Sequence, residues 1–260
     1  MMTTYTTTVK QGLRSESRAT TDAVRPMLWL REGWNDLVSA PLISGLVGGG
    51  FTLLCAAAYA AASTQPLFSA SILSLLLIVS PFIAVTAYYV SRQREQNQSP
   101  SLRVCFRDIR SNALSIGLFS MLSALIIAAW VRLSSLAFAL YYGTLDSGAA
   151  EVARTWTAGS DFPAMPIFLA SMGVVLALTM FVVGAIALPL IADRNQNVVT
   201  AVSNSIEVLK NNVTTMMVWM LLLIALITVA LLSGLLLMPA IFPLLAYATW
   251  HSYRQLMSNN

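Results

Sequence analysis

The sequence predicts an all-α polytopic membrane protein. Six transmembrane helices form three pseudo-repeated hairpins, each preceded by a short interfacial amphipathic helix. Three observations carry this. Hydrophobic residues make up 57% of the 260-residue chain and charged residues 10%, against about a quarter charged in soluble domains. The apolar residues gather in runs of the roughly 20 residues that a bilayer-spanning helix needs. Three related phrases, PFIA from Pro81, PLIA from Pro189 and PLLA from Pro243, each close such a run, and an arginine follows each: Arg92, Arg194 and Arg254. A membrane barrel would alternate polar and apolar residues along strands of about ten; MMVWMLLLIALITVALLSGLLLM does not.

Residues 1–22 are rich in Thr and Ser and lack an apolar run. They read as a disordered cytoplasmic tail rather than a cleaved leader. Residues 23–256 read as a single membrane domain, with repeat units at about 27–92, 101–194 and 197–254. The spans fall at 42–62, 67–90, 113–133, 167–191, 214–232 and 235–250; the last two are parted only by Ser233-Gly234. Every Lys and Arg except Arg132 and Arg154 lies on one side of this threading. Basic loops stay cytoplasmic, so both termini are expected inside. The segment from Tyr141 to Pro163, with Asp146, Glu151, Arg154 and Asp161, is then external.

Before each odd-numbered span, apolar residues recur at steps of three and four. The stripes are Met27, Leu30, Trp34 and Leu37; Leu102, Cys105, Phe106 and Ile109; and Val198, Val202, Ile206 and Leu209. Such steps place side chains on one helical face. Arg31, Glu32 and Asn35, then Arg103, Arg107 and Arg110, then Asn204, Glu207 and Lys210 occupy the opposite faces. A helix with one apolar and one charged face lies in the membrane interface. Asparagines are placed to end these helices at Asn35, Asn112 and Asn211-Asn212, since the side chain can satisfy backbone groups there.

Pro81, Pro189 and Pro243 are structural or hinge positions. Each frees a carbonyl, which in lipid must find another partner; splaying the helix ends over the amphipathic helices is favoured over gating. Gly45 and Gly49 form a GxxxG ahead of an alanine-rich stretch and are candidate helix-packing positions. Trp34, Arg92, Arg194, Trp250, His251 and Arg254 are candidate interfacial anchors. His251 is the one histidine, so a haem or metal site has no second histidine ligand. Arg132, near a span end, reads as snorkelling to the interface rather than as a buried functional charge. Asp193 and Arg194 are placed to pair and cap the fourth span. Cys55 and Cys105 lie in unlike surroundings, one in an apolar run and one in a basic loop, so no disulfide is expected. No phosphate loop, zinc-protease or serine-hydrolase motif occurs, and no carboxylate falls within a span. The basic balance reads as topology rather than nucleic-acid binding.

The segments WLREGWNDLVSAPLISGLVGGGF, SPFIAVTAYYVSRQREQNQSPSLR, LPLIADRNQNVVTAVSNSIEVLKNN and PLLAYATWHSYRQL resemble an uncharacterised family of bacterial integral membrane proteins, domain of unknown function 2189. The likeness runs from about Met27 to Leu256. Where that family usually has glycine-histidine before the closing ATWH, this chain has Ala246-Tyr247. The resemblance implies the bacterial inner membrane and, through a label some members carry, a link to cytochrome oxidase; it implies no activity. The expected function is therefore an accessory, scaffold or assembly protein of a membrane complex, a respiratory one among the candidates, not an enzyme and without catalytic residues, metal or cofactor. The alternative is a transporter or channel for a small solute. Expected partners are the lipid bilayer and a membrane protein or second copy, not nucleic acid.

Overall fold

The computed structural model describes residues 25–64, 66–142 and 164–258. The expected tail at 1–22 and nearly all of the expected external segment lie outside them. The described residues form helices joined by short turns. In chain order these are α1 (25–39), α2 (Pro41–Thr64), α3 (Pro66–Glu95), α4 (Leu102–Ser111) and α5 (Ala113–Tyr142). Then come α6 (Ala164–Gly184), α7 (Ala187–Arg194), α8 (Val198–Asn211), α9 (Val213–Leu232) and α10 (Met238–Ser258). Four stretches are long and apolar enough to cross a membrane: Pro41–Ala60, Ala113–Ala137, Ser171–Arg194 and Val213–Leu232. α3 and α10, which hold the expected second and sixth spans, are not among them. At 21 residues α10 reaches about 32 Å, but its second half carries Trp250, His251, Tyr253 and Arg254, and most of it is buried by protein.

The short helices α1, α4 and α8 each turn directly into a long one. At the corners, the N–H of Ala40, Asn112 and Asn212 bonds back into the short helix, and their carbonyls accept from Ser44, Ile116 and Met216 at 2.9 to 3.0 Å. The ladder thus carries on round the bend. The first corner is Ala40 rather than Asn35, which sits inside α1. Pro41 explains the shift: as the first residue of a new helix it has no N–H to leave unpaired.

These short helices do not bury the stripes that periodicity singled out. α1 turns Trp29, Gly33, Asp36 and Ala40 inward, while Met27, Trp34 and Val38 stay more than half exposed. Its polar residues Arg31, Glu32 and Asn35 form a third, also exposed, face. α4 buries Cys105 but exposes Leu102 and Phe106. α8 buries Ala201, Ser205 and Val208, with Val198, Val202, Ile206 and Leu209 beside them at partial burial. Where the inner face crosses a neighbouring backbone it carries a small side chain. A Cβ on Gly33 would come within 2.8 Å of Ala248 N and 3.0 Å of Leu244 O on α10. Cys105 Sγ lies 3.9 Å from Thr86 O on α3, and Ser205 Oγ donates to Val182 O on α6 at 2.7 Å.

The prolines act in two ways. Pro81 and Pro243 lie inside helices that continue past them. Ahead of Pro189 the helix breaks at Ala185-Ile186, dividing α6 from α7. The proline ring crowds the carbonyl four residues back. Ser205 bridges the break, donating to Val182 O and accepting from Ile186 N at 3.4 Å. At the α9–α10 turn, Gly234 and Leu235 have φ of 64° and 69°. Leu235 N–H reaches back to Ala230 O at 3.1 Å, closing α9 with a left-handed cap. α9 and α10 are therefore separate helices.

Candidate functional site

α3, α7 and α10, which carry the three proline phrases, pack against one another. Pro81, Pro189 and Pro243 are all buried. Around them Val85, Ala87, Val90, Leu190, Ile191, Tyr247, Ala248 and Trp250 are fully enclosed. Two of the arginines that follow the phrases, Arg92 and Arg254, meet acids at the same end. Arg92 Nε lies 3.8 Å from Asp193, and Arg254 lies 3.0 Å from Glu95 and 3.7 Å from Asp193. Trp250 Nε1 donates to Glu95 at 3.0 Å, and Tyr253 OH donates to Asp193 at 2.6 Å. Burial, then the hydrogen bond and charge of Asp193, push the Tyr253 hydroxyl well above the usual tyrosine range. A proton that stays on tyrosine keeps this a donor to carboxylate.

Beside this cluster lies a polar cavity of about 530 Å³ between α1, α3 and the end of α10. Its floor is Asp36, 5% exposed. Ser91 Oγ and Arg94 Nη1 donate to its carboxylate, and His251 Nε2 sits 2.9 Å from Oδ2. Burial works to raise the Asp36 carboxyl. The hydrogen bonds of His251 and Ser91, with the charges of His251 and Arg94, outweigh it and hold the carboxyl below its ordinary value. An ionised acid is thus held at a helix–helix junction by partners on two other elements. Among the described residues, no group of three or more His, Cys, Asp or Glu is placed to hold a metal ion.

A second network lies deeper. Asn112, at the α4–α5 corner, donates to Tyr89 OH at 3.1 Å and to Ile191 O at 3.3 Å, joining three elements. Gln93 donates to Cys105 Sγ at 3.2 Å and accepts from Ser101 N at 2.8 Å. Cys55 and Cys105 are free thiols.

The structure redistributes the anchors. Trp34 stays 53% exposed, as an interfacial residue would. Trp250 is fully buried because its indole N–H serves Glu95. His251 faces Asp36. Arg92 and Arg254 are in ion pairs, and Arg194 is exposed. Asp193 is drawn to Arg92 and Arg254 on other helices rather than to its neighbour Arg194. Gly45 and Gly49 face open space; the close approach is at Gly48, where a Cβ would stand 1.8 Å from Pro239 O. Asp36, Ser91, Arg94 and Glu95 escape a reading by motif. The one local signal was an acid a turn ahead of an apolar run.

No curated protein and no solved structure matches the chain. Residues 68–193, from α3 through α7, match the model of the family DUF2189, described as a predicted integral membrane protein.

Proposed function

We propose that the chain works as a scaffold or assembly component that holds a membrane partner, and that it neither catalyses a reaction nor conducts a solute. The observation that carries this is the filled centre. Where the three proline-bearing helices meet, Tyr247, Ala248 and Trp250 are fully buried, and ion pairs lie across the charged end. A transport path along that line would need room and polar lining.

The proposal includes six spans in three related hairpins, with both termini in the cytoplasm of a bacterium and the spans in its inner membrane. The spacing supports the hairpin relation. Gly33, Cys105 and Ser205 each stand seven residues before a corner, at Ala40, Asn112 and Asn212. Each short helix crosses the returning helix of the preceding hairpin, and α1 closes the circle on α10. The run of basic residues at this end supports a cytoplasmic placement. The partner class is a membrane protein, a respiratory complex among the candidates, or a second copy.

The test is purification in mild detergent followed by mass determination. A stoichiometric partner or a defined oligomer is expected. Monomeric protein that carries solute flux into liposomes would replace this reading with transport. Labelling of the Arg103–Arg110 segment from the periplasm would reverse the orientation.

A further inference from the structure

We propose that the cavity between α1 and α3 binds an aminophospholipid headgroup, in which a primary ammonium lies a few bonds from a phosphodiester. This goes beyond the partner-holding reading and does not depend on it. The cavity, about 530 Å³, lies within the range of small-ligand sites. Its lining offers Glu32 on α1 and Arg94 on α3, while the neighbouring Glu95 is taken up by Arg254 and Trp250. On the α1 side, Glu32 is exposed. Among the described residues its carboxylate meets Asn35 Nδ2 at 3.5 Å, too long to satisfy it. Across from it stand Arg94 and His251, which reach Asp36 through one nitrogen each. A guanidinium has further N–H donors in a fork that suits phosphate.

A simple anion fits this lining poorly, because Glu32, Asp36 and Glu95 outnumber the cations. A quaternary ammonium fits poorly too, since it has no N–H for Glu32, Asn35 Oδ1 or Ser39. A primary ammonium beside a phosphate matches both walls. Trp34 and Val38 also line the cavity and are 53% and 56% exposed, giving apolar surface where glycerol and acyl chains begin. α1 leads through Ala40 into α2, one of the four apolar helices, so the cavity lies at headgroup depth. Free phosphoethanolamine carries the same ammonium beside a phosphate monoester; the Trp34 and Val38 surface favours the lipid.

The test uses the full chain in phosphatidylcholine nanodiscs containing titrated phosphatidylethanolamine or phosphatidylglycerol. Retained lipids are counted by native mass spectrometry. Phosphatidylethanolamine should be retained roughly tenfold over phosphatidylcholine, the worth of one hydrogen bond to a charged group. Glu32→Gln should bring the two to parity while leaving thermal unfolding in pure phosphatidylcholine unchanged. Equal retention of all three lipids by the unmodified chain would overturn the proposal, as would a phosphatidylethanolamine preference that survives Glu32→Gln. Displacement of the lipid by millimolar phosphoethanolamine would overturn the lipid assignment in favour of a soluble ligand.

Discussion

α10 and α5 draw on the same large side chains and use them oppositely. In α10, Tyr247, Trp250, Tyr253 and Leu256 are fully buried. In α5, Leu114, Met121, Leu125 and Leu140 are 67% to 78% exposed. In water the second pattern would be a fault; in lipid it is the expected outer surface, because apolar burial between helices gains little there. The core of this molecule is therefore marked by close backbones and paired polar groups as well as by apolar side chains.

Four measurements sharpen that contrast. The largest effect is expected from Trp250→Ala, which empties a fully buried site and removes the Glu95 donor. Thermal unfolding in detergent should show about 3–5 kcal/mol lost, whereas Leu140→Ala should stay within about 0.5 kcal/mol. Next is Gly48→Ala, whose methyl would meet the Pro239 backbone. A loss of about 3 kcal/mol is expected, set against no change for Gly45→Ala, where nothing lies within 4 Å. A tolerated Gly48→Ala would show that α2 and α10 are not in that contact.

Asp36→Asn ranks third, at about 1–3 kcal/mol. Because the folded carboxyl is held below its ordinary value, its contribution is present above the unfolded pKa. It disappears as pH falls through the folded one. Unmodified protein should lose stability in a pH titration below about 4, and Asp36→Asn should lack that part of the decline. Arg254→Ala ranks last. Its side chain is 49% exposed and its ion pairs face water, so less than about 1 kcal/mol is expected. A larger loss would make that cluster part of the core.

The helices and the corners at Asn112 and Asn212 were legible in sequence, because each has a local cause: hydropathy, or a residue suited to a helix end. The junctions were not. Asp36 meets His251 across 215 positions, and no periodicity reports such a pair. The helix contacts were hidden for a related reason. Periodicity marks the apolar stripe, while the close contacts fall at Gly33, Cys105 and Ser205, of which Cys105 alone belongs to a stripe. Gly48 was hidden among its neighbours, since GLVGGG offers several glycines and only the docked partner distinguishes them.

The contacts between α1 and α10 also bear on how the chain is made. α1 is synthesised early, yet Trp29, Gly33 and Asp36 find Gln255, Ala248 and His251 on the last helix. These contacts cannot form until α10 has been made, whereas Ser91 and Arg94 can reach Asp36 as soon as α3 is in place.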